Sequence, residues 1–111
     1  EQLLSSCDIG LSTVILDKKL IKKNIKFPDI KTKEDYVLWL KIIQNENNIF
    51  ALKDNLTKWR RLNASLSSSK FQRIKDGYLV YRRYMKFSRI KSIIYLSLLS
   101  FNYLLKRLKN I

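Results

Sequence analysis

The chain has 111 residues, a formal net charge of +14 and a hydrophobic content of 46%. This length supports one modest domain with a small core, and the hydrophobic content excludes an intrinsically disordered chain. Histidine is absent and Cys7 is the single cysteine, which excludes a serine–histidine–acid triad, a histidine-based zinc site and a disulfide within the chain. The chain begins at Glu1 without the pattern of a signal peptide, so we expect a piece of a longer protein.

Positive charge is concentrated toward the carboxyl end. Beyond Leu66 there are eleven basic residues and one acidic residue, Asp76, which gives a net charge of +10 over 45 residues. A field of one sign attracts anions such as lipid headgroups, phosphorylated ligands or nucleic acid. Lys, Ile and Asn are frequent throughout the chain, so part of this charge reflects overall composition.

Two segments near the amino end have a recognisable pattern. Residues 9–16, IGLSTVIL, are aliphatic and β-branched, which predicts a short strand buried on both faces. Residues 17–25 predict a short helix with Leu20 and Ile21 facing inward. Pro28 ends this helix because proline lacks a backbone donor and restricts the residue before it.

The next predicted helix runs from Lys33 to Gln44. Thr32 suits its N-cap, and Asp35 would stand at its third position, as an acid does in a capping box. Apolar residues at helical spacing give this helix a buried face. They are Tyr36, Trp39, Leu40 and Ile43.

Two short strands and a helix are predicted further along. Residues 49–52, IFAL, and 56–62, LTKWRRL, have strand-like composition. Residues 63–69, NASLSSS, form a polar loop that is a good helix start. A basic, tyrosine-rich helix is then predicted over residues 70–87, because its apolar side chains keep helical spacing.

Ser88 is suited to cap a last helix, which we predict over 89–109. Its centre, residues 92–105, holds fourteen uncharged residues between Lys91 and Lys106. This run is too short to cross a membrane, which takes about 20 apolar residues. Two arrangements stay open: a helix lying in the membrane interface, and a helix packed on its own domain.

The adjacent acids Glu34 and Asp35 allow a structural and a functional interpretation. Acids in the first turn of a helix complement its dipole by roughly 0.3–1 kcal/mol, and this alone explains their position. A carboxylate kept ionised by the helix end is also a suitable general base for a hydroxyl, and neighbouring aromatic rings stack well on sugars. The residue types alone do not decide between the two.

Several short motifs follow one another in an informative order. They are Ser12-Thr13-Val14, Lys26-Phe27, Glu34-Asp35-Tyr36-Val37-Leu38-Trp39-Leu40, Trp59-Arg60 and Ser65-Leu66-Ser67. Over residues 9–83 this order resembles bacterial family 2 glycosyltransferases of the GT-A fold. The final basic, apolar helix also resembles the tails of such enzymes that make surface polysaccharide at the inner membrane face.

The resemblance implies roles for individual residues. Asp35 matches the catalytic base of the family, and Glu34 matches its acidic neighbour. Tyr36, Trp39 and Arg60 are the candidate substrate-binding residues. For Tyr36 and Trp39 the alternative is packing, since apolar residues at helical spacing usually belong to a core. For Arg60, which would pair with the acids or a phosphate, the alternative is a solvated strand arginine.

The fold class implied is α/β, as the C-terminal, acceptor-side part of a Rossmann-like GT-A enzyme. We expect a mostly helical fragment with a few short strands and a C-terminal helical pair. Residues 1–66 would belong to the catalytic domain and 67–111 would form a basic amphipathic helical extension. The family's Asp-x-Asp motif is missing, so the Mg²⁺ or Mn²⁺ of the full-length enzyme would be held mostly outside this chain. Lys58-Trp59-Arg60-Arg61 replaces the Gln-x-x-Arg-Trp of processive members, which indicates a single-transfer enzyme.

The function implied is inverting transfer of a sugar from a nucleotide-sugar to a saccharide acceptor during lipopolysaccharide or capsule synthesis, with the fragment alone inactive. Expected partners are these two substrates, an anionic membrane surface bound through residues 88–109, and a second copy held by exposed apolar surface. The expected location is cytoplasmic and peripheral at the inner membrane face. The alternative function is a basic helical module that binds nucleic acid and stacks bases on Tyr78, Tyr81 and Tyr84.

Overall fold

The computed structural model describes residues 2–17, 19, 26–44, 48–58 and 69–109. Within these ranges the α-helices are α1 (Gln2–Ser5), α2 (Glu34–Ile43), α3 (Lys70–Leu79) and α4 (Arg89–Lys109). A 3-10 turn covers Leu11–Thr13, and a π-helical turn over Val80–Tyr84 continues α3. No β-strand occurs in the ranges given above, so the strand content of the expected α/β class is not seen there.

The predicted strand at 9–16 is wrong, since this segment holds the 3-10 turn and otherwise irregular backbone. The predicted strand at 49–52 is also wrong, because these residues are irregular and exposed. A strand needs a neighbouring strand to satisfy its backbone groups, and local pattern cannot supply one. Of the segment 56–62 only 56–58 is described, and it is irregular. The helix predicted over 17–25 lies largely outside the described residues.

Helix α2 begins differently from the prediction. Its N-cap is Lys33, in the left-handed conformation with φ 67° and ψ 20°, and Asp35 stands at the second helical position. The predicted N-cap Thr32 is therefore wrong: its backbone N–H and its hydroxyl both donate to Asp76 Oδ2, at 2.9 and 2.8 Å. An N-cap hydroxyl accepts from a backbone N–H of its helix, whereas Thr32 is held by donating to a buried acid on another helix.

Helix α2 lies at the centre of the described core and buries two faces. Its first face packs on the π-helical turn and α4 through Tyr36, Val37 and Leu40. Its second face, Leu38, Trp39 and Ile42, packs on the partly buried apolar residues of the amino-terminal segment. Burying a large apolar side chain stabilises a fold by about 1.5–3 kcal/mol, so α2 accounts for a large share of the apolar stabilisation.

Helices α3 and α4 form an antiparallel pair. Ser69 caps α3, with its hydroxyl accepting from Gln72 N at 3.3 Å. The π-helical turn is closed by a hydrogen bond from Met85 N to Val80 O at 2.9 Å. The predicted helix over 70–87 therefore ends early, and Lys86 adopts a φ of 56° beyond it. Because the two helices are antiparallel, the start of α3 lies beside the end of α4.

The prediction of α4 is confirmed at both ends, and Ser88 Oγ accepts from Lys91 N at 3.3 Å as a cap would. The helix docks through Ser92, Leu99 and Asn102; the Asn102 amide donates to Ser5 O at 2.9 Å. Its other face exposes apolar side chains. We name this set the α4 stripe: Ile90, Ile93, Ile94, Leu98, Phe101, Leu105 and Leu108. None of the described helices has the length and apolar character needed to span a bilayer.

Candidate functional site

The acidic pair lies at the start of α2, where both side chains are half-buried. Asp35 Oδ1 accepts a hydrogen bond from Tyr36 N at 2.8 Å, which holds the carboxylate against the helix end. Among the described residues the other carboxylate oxygen has no hydrogen-bond partner. One oxygen of Asp35 is thus positioned by its own helix, and the second is available to a hydroxyl group.

Tyr36, predicted to contact substrate, is fully buried. Its hydroxyl donates to Leu3 O at 2.7 Å and lies 3.0 Å from the hydroxyl of Tyr81, which in turn donates to Leu4 O at 2.7 Å. Burial and the contact with Tyr81 raise the pKa of Tyr36, and burial raises the pKa of Tyr81 to about 12. Both phenols therefore stay protonated at neutral pH. The burial of Tyr36 and the hydrogen bond of its hydroxyl to Leu3 favour a packing role for this residue.

Trp39 and Arg60 were the other predicted substrate contacts. Trp39 is 4% exposed and belongs to the face of α2 that packs on the amino-terminal segment. Its indole N–H is buried and finds no acceptor in the part of the chain that the structure describes. Arg60 lies outside the described residues, so its role stays a prediction.

Asp76 anchors the residues that directly precede α2. It is 2% exposed and accepts three hydrogen bonds, two from Thr32 and one from the Gln72 amide at 2.9 Å. A buried carboxylate requires such partners. Asp76 thus connects α3 to Thr32, the residue that precedes the left-handed Lys33. This contact fixes the backbone position from which α2 begins, with Glu34 and Asp35 in its first turn.

A cavity of about 460 Å³ lies beside the start of α2, between α3 and α4. Its lining carries five basic side chains and one carboxylate. The basic residues are Lys33, Lys70, Arg73, Lys106 and Arg107, and the acid is Asp8. Lys106 is paired with Asp8 and also donates to Ser6 Oγ. The apolar part of the lining is formed by Ile74, Leu96, Leu99 and Leu104.

Cys7 also lines the cavity, and it contributes no negative charge. Although Cys7 is an exposed residue, desolvation raises the pKa of its thiol to about 11; Lys33 lowers it, and Asp35 and Asp8 raise it. The thiol is therefore protonated at neutral pH, and the cavity keeps its positive charge.

In the sequence, the basic residues of the cavity are visible only as part of a general positive charge. Lys70 and Arg73 stand at the start of one helix, and Lys106 and Arg107 at the end of the next. The two predicted helices are joined by a short connection, which makes consecutive helices antiparallel. This pattern alone would have predicted that the start of the first helix lies beside the end of the second. Lys33 carries no comparable signal, since its neighbours come from distant parts of the chain.

The described residues do not offer a metal site. No three Cys, Asp or Glu side chains come together in the described ranges as a bound metal ion would require. The divalent ion expected for the full-length enzyme thus finds no ligand set there, and that ion stays a prediction.

Comparisons with known proteins return bacterial glycosyltransferases. In Escherichia coli the chain is 42% identical over 76 residues to UDP-Glc:alpha-D-GlcNAc-diphosphoundecaprenol beta-1,3-glucosyltransferase WfgD, covering 67% of this chain and 29% of that relative. WfaP, from the same organism and named for the same activity, is 45% identical over 74 residues, covering 65% of this chain and 28% of that relative. TuaG of Bacillus subtilis, a glycosyltransferase that its name assigns to teichuronic acid biosynthesis, is 30% identical over 79 residues, covering 71% and 31%.

These matches confirm the resemblance to glycosyltransferases that the sequence motifs indicate. The chain spans less than a third of the length of each of these relatives. No protein-family model matches the chain. No solved structure matches it either.

Proposed function

We propose that this chain is the acceptor-side part of an inverting family 2 glycosyltransferase of the GT-A fold. The complete protein transfers a sugar from a nucleotide-sugar to a saccharide acceptor in surface polysaccharide synthesis. The similarity to WfgD and WfaP carries this proposal, because two relatives named for the same activity match at 42% and 45% identity. Their names give a sugar diphosphate of undecaprenol as the acceptor, so we propose an acceptor of this lipid-linked class.

Asp35 is the general base in this proposal. Its free carboxylate oxygen takes the proton from an acceptor hydroxyl, whose oxygen attacks the anomeric carbon as the bond to the nucleotide diphosphate breaks. The hydrogen bond from Tyr36 N to Oδ1 supports the assignment, because it orients the carboxylate and favours its ionised form. Glu34 is its acidic neighbour at the same helix start, and Arg60 pairs with an acid or a phosphate.

The proposal gives Tyr36 and Trp39 a packing role, since both are buried. The Mg²⁺ or Mn²⁺ that accompanies the donor belongs to the part of the enzyme beyond the described residues. The irregular segment 48–58 exposes Ile49, Phe50, Leu52 and Leu56. These side chains suit burial against the rest of the catalytic domain or a second copy of the chain.

The α4 stripe supports peripheral attachment to the inner face of the membrane. Its apolar side chains are flanked by cations at both ends of α4, as in helices that lie in the interface of anionic bilayers. The same helix also packs on the fold through Leu99, so docking and membrane attachment use different faces. The nucleic-acid alternative is not favoured, because the relatives are glycosyltransferases and Tyr81 is buried.

The substitution Asp35→Asn in the complete protein tests the base. The amide oxygen still accepts from Tyr36 N, so the fold is retained while proton acceptance is lost. We expect turnover to fall by at least about 100-fold, the lower range for loss of a general base, with nucleotide-sugar affinity nearly unchanged. Asp29→Asn, at an exposed carboxylate, serves as the matched control and should leave turnover intact. Undiminished transfer by the Asp35 variant would remove this residue from its role.

A further inference from the structure

The cavity between α3 and α4 has an excess of positive charge. Of its five cations, Lys106 is paired with a carboxylate, that of Asp8. Within the described ranges Lys33, Lys70, Arg73 and Arg107 have no carboxylate partner. Cations so close together repel one another, and a bound anion relieves this repulsion.

Arg73 adds a donor that has no acceptor. Its Nε is buried and unpartnered among the described residues, while its Nη1 lies 3.5 Å from the Tyr103 hydroxyl and its guanidinium lies 5.5 Å from the centre of the Tyr103 ring. A buried donor without an acceptor is unfavourable for the fold. The planar guanidinium of Arg73, which lines the cavity, suits two oxygens of a phosphate group.

The cavity is also apolar along one side. Ile74, Leu96 and Leu104 line it together with the basic side chains. A small inorganic anion would leave this surface without a partner, whereas an amphiphilic anion uses both parts. Four unpaired cations suit a diphosphate, which carries more than one negative charge, better than the single charge of a phosphodiester.

We propose that this cavity binds the diphosphate of the lipid-linked acceptor, with the first part of the lipid chain on its apolar side. The inference rests on the proposed function and adds a site to it. Lys33 lines the cavity and directly precedes Glu34 and Asp35. A diphosphate held there presents the sugar attached to it toward the start of α2, where Asp35 accepts a proton.

Calorimetric titration with farnesyl diphosphate, a short isoprenoid diphosphate, tests the site directly. In the double variant Lys70→Gln/Arg107→Gln we expect affinity to fall roughly tenfold or more, since two charge-assisted contacts are lost. The matched control is Lys75→Gln/Arg89→Gln, which removes the same charge from exposed positions of the same two helices outside the cavity. It should stay within about twofold of the parent, because distant exposed charges are screened. Lys70→Arg/Arg107→Lys should retain binding.

Inorganic diphosphate and phosphatidylglycerol vesicles are the comparison probes. Inorganic diphosphate should bind more weakly than farnesyl diphosphate, and both double variants should lose the same share of vesicle binding. Equal loss of farnesyl diphosphate affinity in cavity and control variants would overturn the site. The site would also be overturned if inorganic diphosphate bound as tightly as farnesyl diphosphate. The same holds if the cavity variant, Lys70→Gln/Arg107→Gln, lost vesicle binding but kept its affinity for farnesyl diphosphate.

Kinetics of the complete protein separate this inference from the proposed function. The cavity variant should raise the KM for the lipid-linked acceptor and leave the KM for the nucleotide-sugar unchanged. Retained activity in Asp35→Asn would contradict the assigned chemistry without touching the binding result. Equal binding by the cavity and control variants, together with an inactive Asp35→Asn, would refute only the cavity.

Discussion

Helices α2 and α4 are both rich in apolar residues, but they have very different surroundings. Six of the ten residues of α2 are buried, against two of the 21 residues of α4. Helix α2 lies between two apolar clusters, whereas α4 contacts the fold along one face and exposes the α4 stripe on another. The shorter helix, α2, therefore contributes more buried residues to the core, and the longer helix, α4, keeps an apolar surface that a partner can cover.

This contrast also divides the proposed functions. The proposed base, Asp35, stands at the start of the buried helix α2, and precise proton transfer requires a well-supported position. The acceptor lipid is assigned to the cavity between α3 and α4, and the membrane to the α4 stripe. The contrast predicts that changes around α2 act on stability and that changes on the α4 stripe act on association.

The largest effect on stability is expected from Asp76→Ala. It removes three accepted hydrogen bonds and leaves the Thr32 donors buried without a partner. We expect the free energy of unfolding to fall by about 3 kcal/mol, as measured by urea denaturation. Asp29→Ala, at an exposed carboxylate, should change it by less than about 0.5 kcal/mol. Similar losses of unfolding free energy in the two variants would show that the contact of Asp76 with Thr32 does not stabilise the fold.

Tyr81→Phe should cost about 1–2 kcal/mol, because the Leu4 carbonyl loses its donor in a buried site. The effect should depend on pH. The folded state holds the phenolic proton of Tyr81 up to a pKa of about 12, above the ordinary value of 10. The protonated phenol therefore stabilises the fold fully below pH 10, and this contribution is lost as the pH rises from 10 through 12.

Urea denaturation at pH 8 and pH 11 measures this dependence. The parent should lose more stability between the two pH values than Tyr81→Phe does. Tyr84→Phe, a half-buried tyrosine on the same π-helical turn, is the control and should follow the parent. A parent and a Tyr81→Phe variant with equal pH dependence would contradict the role of the buried phenol.

Leu98→Ser/Phe101→Ser tests the other side of the contrast. Both side chains belong to the α4 stripe, so stability should change little, whereas affinity for phosphatidylglycerol vesicles should fall about tenfold through lost apolar burial. Phe50→Ser/Leu52→Ser removes similar exposed apolar area from the segment 48–58 and should leave vesicle affinity unchanged. Sedimentation with vesicles measures both, and equal losses would argue against the α4 stripe as the anchor.

The smallest effect is expected at the cap of α4. Ser88→Ala removes an acceptor that lies 3.3 Å from Lys91 N, and should cost about 0.5 kcal/mol, the low end for a lost cap. Ser97→Ala, at an exposed interior position of α4, should be neutral or slightly stabilising because alanine favours helix. Thermal unfolding of the two variants should rank them in this order. A reversed order would mean that Ser88 does not cap α4.

Local signals predicted the helices well. Ser88 and the apolar run at 92–105 gave α4 at its observed bounds, and the spacing of Tyr36, Trp39 and Leu40 gave α2 to within a residue at each end. The strands at 9–16 and 49–52 failed, because strand formation depends on a partner that no local pattern contains. The predicted boundary between 66 and 67 lies outside the described residues and stays a prediction.

The site was only partly predictable for the same reason. The acids at the start of α2 were visible in the sequence, because they stand beside each other and open a helix. The contact of Thr32 with Asp76 joins residues 44 positions apart, and the cavity joins Lys33 to two later helices. Such contacts follow from the fold and leave no trace in the spacing of neighbouring residues.

The paired phenols have a consequence for the amino end of the chain. Each hydroxyl has one hydrogen, so two hydrogens serve three short oxygen contacts: two to the carbonyls of Leu3 and Leu4, and one between Tyr36 and Tyr81. The described part of helix α1 has four residues, and so short a helical segment does not persist in water without support. Its helicity therefore reports on whether α2 and the π-helical turn have come together, which makes residues 2–5 a natural place for a probe of assembly.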